Sequence, residues 1–227
     1  MIKRVEHTDF DEYADDYEGL LQSQLSFFDK DRAYFSDCKI AIAAEHFSTP
    51  PHRILDFGCG VGLSLPFFSK YFPHAKLYAT DISKKSLAHV LKRFPNVSIL
   101  PDGSLEKLKF DMIFVSGVFH HLPVELRADT MHRLASLLTN RGALCVFEHN
   151  PFNPVTRHLV STCSFDGDAM LISLGQMTKL LMEGGHLRVL DSGYFLFFPS
   201  FLTIARILEK WLRWVPMGGQ YFVIASK

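Results

Sequence analysis

Three glycines at alternate positions, Gly58, Gly60 and Gly62, end a short apolar run, Arg53-Ile54-Leu55-Asp56-Phe57. Ile and Leu at the front suit a buried strand, and the residues from Leu63 to Tyr71 can continue as a helix, which puts the glycines at a strand-to-helix turn. Glycine admits backbone angles closed to other residues and lets main-chain N–H groups approach a ligand with no Cβ in the way. The turn therefore fixes the start of a βα unit and marks a place for a small molecule.

Beyond the turn the strand–helix pattern repeats. Strands are expected at 53–57, 76–80, 97–100, 110–116, 142–148, 187–197 and 220–226, with helices near 62–72, 83–93, 124–138 and 173–184. Alternation of this kind implies a mostly parallel sheet covered on both faces. Gly142 is read as following a helix that ends at Asn140-Arg141, and Gly184-Gly185 as closing another. The segment 199–215 interrupts the alternation. Thr203, Arg206, Lys210 and Arg213 form one polar stripe on an otherwise apolar inserted helix, expected to have a broad core face, with a substrate-pocket wall or a membrane-surface contact as the competing reading.

Ahead of the turn, Ser48-Thr49-Pro50-Pro51 breaks any helix and divides the chain into 1–50, an N-terminal helical cap or lid, and 51–227, the main domain. Within the cap, residues 9–21 form an amphipathic acidic helix whose Tyr13 and Tyr17 could close over a substrate, and 31–47 form a second helical stretch.

Composition narrows the partners. A chain that is 48% hydrophobic has ample material for a core, which excludes disorder. Lys plus Arg and Asp plus Glu are both 24, so no overall basic field exists to hold nucleic acid. Cys38, Cys59, Cys145 and Cys163 are widely spaced, which fits a reduced, cytoplasmic setting better than a disulfide framework or a zinc site. No signal peptide opens the sequence, and no run approaches the roughly 20 apolar residues of a membrane span.

Glycine spacing decides which nucleotide the turn suits. A dinucleotide fingerprint needs G-x-G-x-x-G, but position 63 is Leu and the third glycine comes one residue early; no Lys-Ser or Lys-Thr follows to make a phosphate loop. Asp56-Phe57-Gly58-Cys59-Gly60-Val61-Gly62 instead resembles the first motif of the class I S-adenosylmethionine-dependent methyltransferases. A second match is Asp81, which ends the second strand 19 residues after Gly62 and precedes Ile82. The resemblance implies a Rossmann-like three-layer α/β sandwich, its seven-stranded sheet mostly parallel with an antiparallel last strand. It also implies S-adenosyl-L-methionine as cofactor, with Asp56, Gly58, Cys59, Gly60 and Gly62 against its methionine part and ribose. Asp81 would accept the ribose hydroxyls or else cap the next helix, and both roles can coexist. Asp102 and Gly103 resemble the adenine-side loop, although an Asp-Gly pair is also an ordinary turn. Ser116, Gly117, Val118 and His121 resemble the strand end that faces cofactor and acceptor.

The acceptor side is less defined. After the fifth strand, Glu148, His149 and Asn150 could bind or deprotonate an acceptor, and Arg157 could hold an anionic group on it, although turn formers alone explain the Asn-Pro pairs of this stretch. His121, His149 and Glu148 are the candidate bases, in that order. No metal is expected, because adjacent histidines on a loop point apart and no further ligands show metal spacing. The activity implied is methyl transfer to a small-molecule acceptor, apolar or lipid-linked in view of the aromatic segments. The alternative is a non-catalytic cofactor-binding module with a regulatory or assembly role. The accepting atom and the oligomeric state are not written in the sequence.

Overall fold

A computed structural model describes residue 11 and residues 32–163, 166–167 and 169–227. Seven strands form one sheet in the order β3-β2-β1-β4-β5-β7-β6. They are β1 (Arg53–Phe57), β2 (Lys76–Thr80), β3 (Ser98–Ile99), β4 (Phe110–Ser116), β5 (Leu138–His149), β6 (Arg188–Phe195) and β7 (Gln220–Ser226). The five strands from β3 to β5 pair in parallel, and β7 lies antiparallel between β5 and β6. Sequence periodicity places these strands well, and the antiparallel last strand is as the family resemblance implies.

The helices between them are α1 (Arg32–Ala44), α2 (Leu65–Tyr71), α3 (Lys84–Arg93), α4 (Val124–Leu137), α5 (Pro154–Thr162), α6 (Leu174–Glu183) and α7 (Glu209–Leu212). Alternate residues of β4 serve opposite faces. Met112 and Phe114 join a core with Ile40 of α1, Phe68 of α2 and Val90 of α3, while Ile113 and Val115 join another with Met131 and Leu134 of α4 and Met177 of α6. A strand segment buried on both faces needs apolar residues at successive positions, so Met112 to Val115 reads as a continuous apolar run rather than an alternating one. Each buried aromatic adds about 2–3 kcal/mol of transfer free energy, and Phe68 meets Phe114 edge-on at 5.2 Å between ring centroids.

Of the region expected as a cap, the described part beyond Asp11 is α1 and the chain after it. α1 packs on α2 through buried Phe35, Ile40 and Ala43, with Asp37 paired to Lys70 at 2.7 Å on the outside. Tyr13, Tyr17 and most of the acidic helix they belong to lie outside the described residues.

Three local expectations need correction. Gly142 does not follow a helix end: α4 stops at Leu137 and Gly142 sits inside β5, where a Cβ would fall 2.7 Å from the Phe110 carbonyl oxygen. Pro154–Thr162 is α5, not a plain loop; Asn153 accepts from the N–H groups of Val155 and Thr156, and Pro154 takes the first helical position. The 199–215 segment is not one helix with a broad core face. It is a 3-10 stretch, Ser200–Leu208, kinked at Leu202 and followed by the single turn α7, and Ile204, Ile207, Trp211 and Trp214 are exposed. No helix among the described residues is long and apolar enough to cross a membrane, and the four cysteines are free thiols.

Candidate functional site

Strand order reverses between β1 and β4, so the chain leaves their carboxyl ends in opposite directions and a crevice opens there. The glycine turn forms one wall. Gly58, Gly60 and Gly62 have φ of +71°, +51° and +83°, conformations costly for any side chain. Two of the three are also spatially obligatory. A Cβ on Gly58 would lie 2.4 Å from Val118 Cγ2, and one on Gly62 would lie 2.8 Å from Leu65 Cδ1, whereas one on Gly60 would meet nothing within 4 Å. Gly60 is thus the glycine that presents bare backbone to open space.

The turn is latched to the end of β2. Gly58 and Cys59 donate their N–H groups to the Thr80 carbonyl at 2.9 and 3.1 Å, and Gly60 N–H donates to Asp81 Oδ2 at 2.7 Å. Asp81 Oδ1 accepts from Ser83 N–H at 2.8 Å. The carboxylate has about four lone-pair sites, so these backbone donors do not exhaust it. Burial holds its carboxyl above the usual range despite those donors. Ser83, not Asp81, caps α3, accepting from Ser86 N–H; its own hydroxyl donates to Asp11 at 2.6 Å. Ile82 stands beside Asp81 with 86% of its surface exposed. Gly103 is exposed on the 3-10 turn after β3, and the Asp102 side chain is outside the description.

The opposite wall is made of side chains. Glu148, near the end of β5, is buried and accepts from the Val118 and Phe119 N–H groups at 3.0 and 2.7 Å through Oε1, and from His120 Nδ1 at 2.6 Å through Oε2. Burial opposes its charge, but His120 and the backbone donors outweigh that and hold the carboxyl down to about 2. Glu148 is therefore the post that shapes the loop after β4, a role other than the general base expected of it. His120 shows the reciprocal balance: burial disfavours the imidazolium, yet Glu148 and Asp166 raise it to about 9. His149 is pushed down to about 4 by burial and then by the charge on His120, so it is neutral and weakly basic; its Nδ1 lies 3.4 Å from Gln220 Nε2.

Adjacent histidines do not point apart here. The rings of His120 and His121 have centroids 4.1 Å apart, and both Nε2 atoms approach Asp166 Oδ1, at 3.7 and 3.3 Å. His120, His121 and Asp166 together form a set that could hold a metal ion, which overturns the geometric reason for expecting none.

Lys39 of α1 reaches into the same space and donates from Nζ to Ser116 Oγ at 2.8 Å. Burial lowers its ammonium to about 8, against the pull of the Glu148 charge. Across from it Asp56 is 3% exposed, with Oδ2 partnerless among the described residues; burial and then the Asp81 charge raise its carboxyl to about 8, with Lys39 acting the other way. Gln220 Oε1 is a second buried acceptor with no partner among the described residues.

These groups line one cavity of about 190 Å³. Of the residues expected at the site, it gathers Asp56, Gly58, Cys59, Gly60, Ser116, Gly117, His121, Glu148 and His149. Gly62, Asp81, Ile82, Gly103 and Val118 are not in its lining. Two expected substrate contacts are misplaced. Asn150 is fully buried and consumed in structure, donating to the Pro216 and Gly218 carbonyls and accepting from Phe152 N–H. Arg157 is exposed on α5 and lines not the cavity but an adjoining surface hollow that shares Val160 and Asp166 with it. Lys39, His120, Asp166 and Gln220 are site residues that the sequence pattern does not single out. Lys39 has a usable signal, being a cation inside the apolar run Cys38 to Ala44; the others depend on which loops meet.

The cavity suits S-adenosylmethionine on observations of its own walls. Two orphaned buried acceptors, Asp56 Oδ2 and Gln220 Oε1, and the open glycine face at Gly60 match a ligand rich in donors and cationic groups.

Comparison with known proteins points the same way. Residues 55–144 match the family model described as a methyltransferase domain. A malonyl-(acyl-carrier protein) O-methyltransferase of Halalkalibacterium halodurans is 32% identical over 112 residues, covering 44% of this chain and 40% of that protein. A trans-aconitate 2-methyltransferase of Rhodopseudomonas palustris is 28% identical over 108 residues, covering 46% of this chain and 41% of that one. The chain thus spans two-fifths or less of the length of most curated relatives it matches, down to 25%. Among solved structures, a SAM-dependent methyltransferase from Archaeoglobus fulgidus superposes with a TM-score of 0.70 at 16% identity, over 93% of this chain and 100% of that one.

Proposed function

We propose that this chain carries a class I S-adenosylmethionine-dependent methyltransferase domain and transfers a methyl group to a small acceptor bearing a carboxylate, a reading supported by the methyltransferase-domain match over residues 55–144 and by the fold. One observation carries the reading: a single cavity is lined both by Asp56 and the glycine turn and by Lys39 and the histidine cluster, so a donor on the turn and an acceptor at Lys39 would lie in the same space. S-adenosylmethionine supplies an electrophilic methyl on sulfonium. The chain's part is to align the acceptor and exclude water.

Gly60 and Asp81 would hold the nucleoside end, with Ile82, Asp102 and Gly103 toward its rim, and Asp56 Oδ2 would accept from the cofactor ammonium. Ser116 and Gly117, with His121 and His149, border the methyl. Lys39 provides the ammonium that meets the acceptor anion. A carboxylate acceptor arrives ionised and needs no base, which agrees with a wall where Glu148 is fully engaged and His149 is neutral and weakly basic. The acceptors named for the two curated relatives, trans-aconitate and a malonyl thioester, both carry carboxylates. Phe35, Phe147, Leu159 and Leu196 give the same cavity apolar wall for the rest of such a molecule. Balanced charge, 24 against 24, favours this over a nucleic acid substrate, and four free thiols support a cytoplasmic setting. The outward Ile204, Ile207, Trp211 and Trp214 support a peripheral membrane contact, which liposome sedimentation would test.

The test is transfer of labelled methyl to a panel of small carboxylic acids, by the wild type and by Lys39→Met. Wild-type turnover is expected, with the acceptor KM about tenfold or more higher in the variant and S-adenosylhomocysteine affinity unchanged. Cofactor binding without transfer to any carboxylate would leave the non-catalytic module as the better reading.

A further inference from the structure

We infer that His120, His121 and Asp166 form a binding site for a divalent transition-metal ion, of the Zn²⁺ class, in the acceptor half of the cavity. Asp166 Oδ1 lies 3.3 Å from His121 Nε2 and 3.7 Å from His120 Nε2, and the three donor atoms fall within 4.8 Å of one another. These separations are longer than the about 2.7–2.9 Å of a well-formed charge-assisted N–H···O bond. They match neighbouring ligands of one ion: bonds of about 2.0–2.2 Å at tetrahedral angles leave donor atoms about 3.3 Å apart.

The shell behind the donors has the form a metal site needs. Glu148 Oε2 accepts from His120 Nδ1 at 2.6 Å, which fixes the ring and turns Nε2 toward Asp166. Glu148 is itself held by the Val118 and Phe119 N–H groups, so the orientation is set by backbone. His120 and Asp166 are 2% and 8% exposed, so an ion between them would be shielded from bulk water. Two imidazoles and a carboxylate suit Zn²⁺ and its neighbours rather than Mg²⁺ or Ca²⁺. Three protein ligands leave a coordination position, and all three residues line the cavity shared with the glycine turn. An ion there would take an oxygen of the acceptor, a role that rests on the methyl-transfer reading; the binding site itself does not.

The experiment uses the full chain, free of any affinity tag and stripped with a chelator, titrated with Co²⁺ alone and with Zn²⁺ alone, with S-adenosylhomocysteine titrated separately by calorimetry. Expected are one Co²⁺ per chain with visible bands of four- or five-coordination, displacement by Zn²⁺, and at least about a tenfold loss of affinity in Asp166→Asn and in His121→Gln, both still melting cooperatively. Wild type that binds neither ion, or variants that bind as tightly as wild type, would overturn the site. If S-adenosylhomocysteine fails to bind while Co²⁺ does, the methyltransferase reading falls and the metal site stands.

Discussion

The two walls of the cavity are made of different material. On the β1–β2 side the surface is backbone: glycines at positive φ and N–H groups tied to the Thr80 carbonyl, with Asp81 latching Gly60 from behind the lining. On the β4–β5 side it is side chains from α1, the loop after β4, the end of β5 and the loop after α5, braced by Glu148. A backbone wall is specified by short-range spacing and suits a constant ligand. A side-chain wall is specified by which distant segments meet, and it can be changed residue by residue while the sheet stays the same.

Glu148 should give the largest effect, since it carries the side-chain wall. In Glu148→Gln one end of the amide must face either the Val118 and Phe119 donors or His120 wrongly, which should cost about 3–5 kcal/mol and lower the melting temperature by about 10 °C. A loss below about 1 kcal/mol by calorimetry would mean the loop is held by something else.

Gly58→Ala strikes the backbone wall. Its Cβ meets Val118 at 2.4 Å at a φ of +71°, so strain and overpacking together should cost about 2–4 kcal/mol and weaken S-adenosylhomocysteine binding at least about tenfold. Retained affinity with an unshifted melt would show that the turn adjusts and is less fixed than its angles imply.

The smallest effect links the two walls through Asp56. Its carboxyl, raised to about 8 by burial, is largely protonated in the empty cavity at neutral pH, whereas a cationic ligand group opposite Oδ2 favours the ionised form. Binding should therefore release a proton, and affinity should rise roughly tenfold from about pH 6.5 to 8 and then level, equivalent to about 1.4 kcal/mol. Calorimetry in buffers of different ionisation enthalpy reads the proton directly. A flat profile in wild type, matching that of Asp56→Asn, would move the cationic group away from Asp56.

Legibility in the sequence obeys the same division. β1, β2, β4 and β7 match their expected bounds because strands buried on both faces must be continuously apolar, and the glycine turn is visible because its spacing is local. The helix α5 carries a readable start, Asn153-Pro154, but the same pair also suits a turn, and only the residues after it separate the two. The exposed apolar run from Ile204 to Trp214 could not be told from a core helix, since periodicity reports which residues share a side and not whether anything covers it.

By itself the sequence determined a parallel α/β sheet with a glycine turn at its switch point and an acid at the end of the second strand, because each is a short-range pattern of period, spacing or backbone freedom. Only the tertiary structure decided that Lys39 faces Ser116, that Glu148 is a brace, that Asn150 is spent on backbone carbonyls and Arg157 lines the adjoining hollow, and that His120 and His121 converge on Asp166. Each of those depends on segments separated by tens of residues or more, and on burial that sets which charges survive.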